Sequence, residues 1–549
     1  MLFSQSLMLK LSNRFWLLAG LLLLVGLVYG LSYPATEPFF NNDETRHVMT
    51  GVYFRDLLHD MPFGHLRAYT VNYYLQYPAL GLLVWPPLFY IIEGLSMSVF
   101  GTSLIVAKSL VAVYALVACA YLFFLIARTH DTARAAIAVL VFALSPLIFQ
   151  FSHYVMLELP TVAMGLAATF YFVRYMDEER LRDLLLAGLF SVLTALTRFD
   201  AIYLLPLFVI LLVARGRLGI LRRKEVWIVA AVAILLVLPS YAMTTASMGW
   251  LHFKSVTEQV DAGQPAFFSL KRLFFYPSKL PQQLGWLALV PAVVGIVYSM
   301  KTSRRSQALI YFAIIVSVFL TFTPVAETDS RHTIYWIPAF AFFAAEGIAL
   351  LTVWLRQPKL YLPLAALLIL GMTWHVFSKP LAHMRGYEEA AQYVVANSKT
   401  SPFCLFQGHL NGNFVYQVRR HDPDRRLWVL RTDKLLFSVL VNAGVEYKQF
   451  TENDEEMLAT IYKYDPEFIL IEETQGAETI PAENHVREVI NNHPERFRLE
   501  KTFPIESTDT GFFSGQIKVF RNIFRNNNPD RRLNLEILML RRSLQTDVP

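Results

Sequence analysis

Asp43 and Glu44 stand side by side in Asn41-Asn42-Asp43-Glu44-Thr45-Arg46, a short polar stretch that follows the first long apolar run of the chain. A carboxylate held where lipid headgroups meet water can take a proton from an attacking hydroxyl. The same residues also read as a helix start, with Asn42 as the cap and two acids in the first turn. The two roles are compatible. Further on, His153-Tyr154-Val155-Met156-Leu157-Glu158-Leu159-Pro160 places an acid one residue ahead of another apolar run, at a depth where water is scarce. Glu158 could orient an acceptor, coordinate a metal or pair with Arg198. Arg198, in Leu196-Thr197-Arg198-Phe199-Asp200, could anchor a helix by snorkelling or grip a phosphate with its forked guanidinium. Arg331 and His332 follow Glu327 and Asp329 at the entrance to another apolar run and could hold the same phosphate. Trp85 and Tyr90, in Trp85-Pro86-Pro87-Leu88-Phe89-Tyr90, could wall a sugar or lipid headgroup, or belong only to an aromatic belt.

These residues need a scaffold, and composition names its class. Of 549 residues, 55% are hydrophobic, 42 are Phe, and mean hydropathy is +0.39. That is too apolar for an ordinary globule in water. Charged residues, 17% of the chain, cluster between long apolar runs, the pattern of a polytopic membrane protein. The net charge of +6 is small, and its Lys and Arg fall in a few short loops. They report topology rather than a nucleic-acid surface. Cys119 and Cys404 give no disulfide framework. The run Phe15–Leu31, after Lys10 and Arg14, reads as a retained anchor rather than a cleaved leader.

Apolar spans are expected near Phe15–Leu31, Ser103–Ala127, Ala135–Phe151, Leu159–Tyr175, Leu184–Thr197, Ala201–Ala214, Val226–Tyr241, Gly285–Met300, Ala308–Val325, Ile334–Leu355 and Leu360–Phe377. Several fall short of the ~20 residues of a comfortable crossing, so tilt or local thinning must help. With about eleven spans and the N-terminus inside, nearly every basic loop lies on the cytoplasmic side, Arg215 to Lys224 included. Counting Pro87–Phe100 as a further span would turn those loops outward. It is therefore read as a helix in the outer interface, with Glu93 suited to that position. Asp43, Glu44, Glu158, Arg198, Arg331 and His332 then share the outer side.

Past Lys379-Pro380 the apolar runs shorten. Strands are expected at Phe403–Gln407, Leu427–Leu430, Phe468–Glu472, Phe497–Phe503 and Gln516–Phe520, with helices at Tyr387–Asn397, Glu455–Tyr464 and Ala482–Asn492. The chain divides into a transmembrane domain, 1–379, with a first outer loop, 33–102, that carries the chemistry. A soluble, extracytoplasmic α/β domain, 380–525, follows, and then a flexible tail, 526–549. Gln407-Gly408-His409-Leu410-Asn411-Gly412 reads as a turn, not a phosphate loop.

Taken in order, these motifs resemble the GT-C superfamily of membrane glycosyltransferases, in the group of protein O-mannosyltransferase-like and aminoarabinose transferase-like enzymes. The acidic pair after the first span carries the resemblance. So do Trp85-Pro86-Pro87-Leu88, similar to a Lys-Pro-Pro-Leu element, and Glu158-Leu159-Pro160, similar to a second acidic motif. Leu196-Thr197-Arg198 and Arg331-His332-Thr333-Ile334-Tyr335-Trp336-Ile337-Pro338 complete it. It spans roughly Leu11 to Phe377. Trp85 stands where the family carries a basic residue, and Glu158 where Asp is common. The resemblance implies an inverting glycosyltransferase that uses a polyprenyl-phosphate sugar donor. Transfer would go to a protein, lipid or glycan acceptor at the outer membrane face. It also implies Asp43 as general base, Glu44 and Glu158 shaping the acceptor site or tuning Asp43, and Arg198, Arg331 and His332 on the leaving phosphate.

A transporter or flippase for a lipid-linked or anionic substrate is the alternative. It calls for charges deep in the spans and two-fold repetition of the halves, and neither is evident. A scaffold with a degenerate site is a third reading. No cofactor is required. A divalent cation held by carboxylates stays open, without Cys/His spacing to favour it. The setting expected is an integral protein of a prokaryotic plasma membrane.

Overall fold

The computed structural model describes residues 2–32, 42–249, 269–301, 305–379, 381–440, 446–474, 480–508 and 514–548. A helical bundle occupies the first part: α1 (Leu2–Leu31), α2 (Asn42–Asp60), α3 (Leu66–Gln76), α4 (Leu88–Phe100), α5 (Leu104–Ala127), α6 (Thr132–Ala143), α7 (Pro146–Phe151), α8 (Glu158–Glu178), α9 (Leu181–Ala195), α10 (Leu204–Ala214) and α11 (Lys224–Met248). Helices Phe275–Leu284, Trp286–Lys301, Arg305–Phe322, Ile337–Trp354 and Tyr361–Phe377 complete it. Among the described residues, five helices are long and apolar enough to cross a membrane, ending with Pro358–Phe377. Five more apolar helices are shorter. Neither set includes α8 or α9, so a tally of about eleven crossings rests on the charge pattern rather than on helix length.

Side-chain burial suits a lipid surround. Along α11, Ile228, Val232, Leu235 and Leu238 are all exposed, as they are on α1 at Leu23 and Leu27. Inside, helices meet through small residues. A Cβ on Gly295 would strike the Phe343 carbonyl, and one on Gly347 the Pro291 carbonyl, so Trp286–Lys301 and Ile337–Trp354 pack backbone to backbone. Gly94 does the same for α2 and α4, where a Cβ would meet the Arg55 backbone nitrogen and the Gly51 carbonyl. Glu93 departs from the interfacial position expected of it. It is fully buried against Gly51, and among the described residues neither carboxyl oxygen finds a hydrogen-bond partner.

The bundle has two chemically different ends, joined by α8. Its 21 residues rise about 30 Å from Glu158 to Glu178. Near Glu178, Arg128 pairs with Asp177 and Glu178, Arg215 with Asp177, and Arg217 and Arg223 with Glu179. Three of the basic loops assigned to one side by the charge rule, at Arg128, at Asp177–Arg182 and at Arg215–Lys224, are therefore gathered at one end.

The C-terminal part is a six-stranded sheet in the order β1-β7-β8-β6-β2-β3. Its strands are β1 (Met384–Arg385), β2 (Phe403–Gln407), β3 (Trp428–Arg431), β6 (Phe468–Thr474), β7 (Phe497–Ser507) and β8 (Gly515–Asn522). Strand β2 runs parallel to β3 and β6, and every β2 residue is buried. Phe403 and Leu405 face one core, Cys404 and Phe406 the other, the double coverage that parallel strands require. Antiparallel hairpins are formed by β4 (Phe437–Leu440) with β5 (Glu446–Gln449), and by β9 (Arg532–Ile537) with β10 (Arg542–Asp547). The second hairpin corrects the expectation of a free tail beyond 526, because its Leu533, Leu535 and Ile537 are buried in the core with Val548. The expected turn lies at 408–410, between β2 and a helix at Asn411–His421.

That sheet is docked on α2 and α3. Arg419 pairs with Asp56 through Nε at 3.0 Å and Nη2 at 2.7 Å, and both side chains are buried. Gln76 Nε2 donates to the carbonyls of Arg425 (2.7 Å) and Leu427 (3.0 Å), and Arg431 Nη1 to that of Pro78 (2.5 Å).

Candidate active site

Helix starts supply most of the charged groups. Asp43 and Glu44 occupy the first turn of α2, and Glu158 begins α8. Arg198 precedes a short turn, Phe199–Tyr203, that carries Asp200. Asp329 caps the turn Ser330–Trp336 by accepting from the Arg331 backbone N–H at 2.9 Å. Positive helix N-termini explain why acids are tolerated at these points.

The arginines tie these starts together. Arg198, 7% exposed, reaches Glu158 Oε1 through Nη1 at 2.8 Å and Asp200 Oδ2 through Nε at 2.7 Å. Tyr335 donates to the same Asp200 oxygen at 2.9 Å. Arg331 lies 3.3 Å from Asp43 Oδ2, 2.9 Å from Asp329 and 3.8 Å from Glu158. Arg46, one turn along α2, sits 3.4 Å from Asp43 Oδ1. Burial alone would push the Asp43 carboxyl upward. Arg331, Arg46 and His47 outweigh it and hold the group below its ordinary value. Asp43 is thus ionised at neutral pH.

A cavity of about 1030 Å³ opens beside these groups. Of the candidates, Asp43, Arg198, Arg331, His332 and Trp85 line it. Its far wall is apolar, with Ile202, Pro206, Tyr241 and Leu320. Ile202 and Leu320 are exposed, so this side of the cavity presents accessible apolar surface. Among the described residues, no group of three or more His, Cys, Asp or Glu is arranged to hold a metal ion.

Three sequence candidates are not on this wall. Glu44 is completely buried and accepts the Val155 backbone N–H at 3.0 Å, binding α2 to the loop before α8. Glu158 lies behind Arg198 with no exposed surface. Of the roles open to it, the structure shows the pair with Arg198. Tyr90, 1% exposed, sits behind Trp85. Its hydroxyl meets His47 Nδ1 at 2.8 Å, and the His47 ring packs edge-on to Trp85 at 4.6 Å. Tyr90 therefore supports the wall rather than forming it. Burial takes the His47 imidazole down to about 3, helped by Arg198, Arg331 and Arg46 and opposed by Asp43, so the ring is neutral.

Other wall residues went unread in the sequence. Arg46 had a signal, since three residues of helix bring it back to the Asp43 face. Arg431 and Lys434 had none, because only docking of the sheet on α3 brings them there.

Residues 84–243 match the family model for dolichyl-phosphate-mannose-protein mannosyltransferases. No curated protein sequence matches the chain. Among solved structures, ArnT from Cupriavidus metallidurans bound to undecaprenyl phosphate is similar, with a TM-score of 0.60 and 12% identity over 94% of this chain and 100% of that one. The same protein in the apo state gives 0.61 with the same identity and coverage. The apo oligosaccharyltransferase of Archaeoglobus fulgidus gives 0.55 and 11% identity, over 83% of this chain and 69% of that one. At these identities the likeness is one of fold, and the fold is that of the GT-C membrane glycosyltransferases.

Proposed function

From a chain with the GT-C fold whose residues 84–243 match the protein-mannosyltransferase model, we propose an enzyme that transfers a sugar from a polyprenyl-phosphate donor to a hydroxyl-bearing acceptor. One observation carries the reading. The ionised Asp43 shares a cavity with Arg198, Arg331 and His332, and that cavity has an accessible apolar side at Ile202, Pro206 and Leu320. The prenyl chain stays along the apolar wall at Ile202, Pro206 and Leu320. The phosphate lies toward the guanidiniums, and the sugar C1 faces Asp43. As the acceptor oxygen attacks C1, Asp43 takes its proton. The bond from C1 to the phosphate oxygen breaks with its electron pair on the phosphate. Arg198 and Arg331 meet that growing charge. Attack opposite the leaving phosphate inverts C1. The ArnT structure with undecaprenyl phosphate bound supports a donor of this class.

The cavity lies on the non-cytoplasmic side, as the charge rule places it. A membrane-impermeant thiol reagent added outside intact cells is expected to label Arg46→Cys and Glu327→Cys. Labelling of either from the cytoplasmic side alone would overturn this orientation. The chemistry is tested by Asp43→Asn in proteoliposomes supplied with a polyprenyl-phosphate-linked sugar. Donor consumption should be lost while the variant stays folded, and near-normal turnover would remove Asp43 as the base.

A further inference from the structure

The C-terminal sheet does more than rest on the bundle. Arg431, Lys434, Val439, Ile537 and Leu538 line the same cavity as Asp43 and Arg331. The segment carrying them is firmly held. Arg431 ends the buried strand β3, is 6% exposed, and hydrogen-bonds the Pro78 carbonyl at 2.5 Å. Lys434 follows in the single helical turn Thr432–Leu435.

The cations of the cavity wall differ in one respect. Arg46 has Asp43, Arg198 has Glu158 and Asp200, Arg331 has Asp43 and Asp329, and Arg431 has Asp433. Lys434, partly buried, has no ion pair or hydrogen bond from its ammonium among the described residues. An ammonium partly withdrawn from water without a paired counter-ion carries a cost, and an anion in the cavity would offset it. Three rigid neighbours set the local charge: Arg431 and Arg46 are positive, and Asp433 is already engaged by Arg431. Burial lowers the Lys434 ammonium most, Asp433 raises it, and Arg431 and Arg46 lower it again, to about 8. It is mostly charged at neutral pH and loses its charge just above.

We propose that Lys434 is the anion-binding group that the C-terminal domain contributes to this cavity, receiving a phosphate-type oxyanion of a substrate. The proposal rests on the cavity being the transfer site. The oxyanion has two sources, the lipid-linked phosphate of the donor or an anionic group on the acceptor. In either case the soluble domain is part of the binding site and not an appendage.

The test uses the full-length protein in nanodiscs and two probes, undecaprenyl phosphate in the bilayer and inorganic phosphate in the buffer. Lys434→Gln should weaken at least one of them roughly ten-fold, the loss of one charge-assisted contact, while Lys434→Arg retains binding. Wild-type affinity should fall as pH rises from 7 to 9, and that of Lys434→Arg should not. Weakening confined to undecaprenyl phosphate identifies the donor, and weakening confined to inorganic phosphate identifies the acceptor side. Equal binding of both probes by Lys434→Gln and wild type, or no binding of either probe by wild type, overturns the proposal. The transfer reading fails separately: Arg198→Gln would then leave both undecaprenyl phosphate affinity and donor consumption unchanged.

Discussion

The two ends of α8 carry the same kind of interaction in opposite surroundings. At its start, the side chains of Glu158 and Arg198 are 0% and 9% exposed. At its finish, Asp177 meets Arg215 with 35% and 15% of their side chains exposed, and Glu179 meets Arg217 and Arg223 in the open. Pairs bathed in water contribute little to stability. Pairs withdrawn from it are held only by close partners, and a lone survivor is expensive. On the proposed function, charge at one end of the helix serves orientation in a membrane, and charge at the other serves chemistry.

The largest expected effect separates chemistry from stability at the cavity end. Asp43→Asn keeps the shape and loses the base, so donor consumption should fall ~100- to 10,000-fold, the range of a general base. Thermal unfolding in detergent should barely move, because Asp43 is only one of several carboxylates facing Arg331. Arg198→Gln costs stability as well as transfer. It strands Glu158 and Asp200, and unfolding should show a loss of about 3–5 kcal/mol. If that variant unfolds like the wild type, the two ends of α8 are energetically alike and the contrast collapses.

A pH profile refines the same contrast. Asp43 is held below its ordinary range by Arg331 and Arg46 against burial. Donor consumption should therefore persist on acidification through the usual carboxylate range, near 4, and fail only below it. Arg331→Gln removes the main lowering influence and leaves burial in place. The acid limb should then move upward, and an unmoved limb would mean that a different group is being titrated.

How much of this could be read in advance depends on scale. Carboxylates and guanidiniums bordering apolar runs are out of place by composition, which singles out Asp43, Arg198, Arg331 and His332, residues that line one cavity; the fold class was legible too. Direction was not. Neighbours on a helix point about 100° apart. With Asp43 toward the cavity, Glu44 had to face elsewhere, and it faces the Val155 backbone. Tyr90 belongs to the same lesson. At the tail, the polar run Asn526-Asn527-Asn528-Pro529 hid the alternation Leu533, Leu535, Ile537, a period of two that marks a strand with one buried face. Lys434 and Arg431 lie far along the chain from Asp43, and no local pattern announces a contact made only when a sheet docks.

Smaller effects probe the layer behind the wall. Tyr90→Phe leaves His47 Nδ1 without its partner inside a buried cluster, at a cost of about 1–3 kcal/mol in unfolding. The His47 ring would then be free to shift against Trp85, so the Michaelis constant for the donor should rise while maximal turnover stays close to normal. A loss of turnover alone would instead place His47 in the proton path from Asp43.

The smallest effect belongs to the other end of the bundle. Arg215→Gln breaks the 2.7 Å pair with Asp177, but Arg128 remains at 3.2 Å to the same carboxylate, and water reaches both. Unfolding should change by no more than about 0.5 kcal/mol and donor consumption not at all. What should respond is insertion. Combining Arg215→Gln with Arg217→Gln and the matching changes at Arg222, Arg223 and Lys224 strips one loop of its positive charge, and a fraction of molecules should then insert with that loop outside. Outside labelling of a cysteine placed in the loop measures that fraction. If the stripped loop stays inside in every molecule while the single Arg215→Gln variant loses transfer, charge at this end carries function after all, and the division of labour along α8 is wrong.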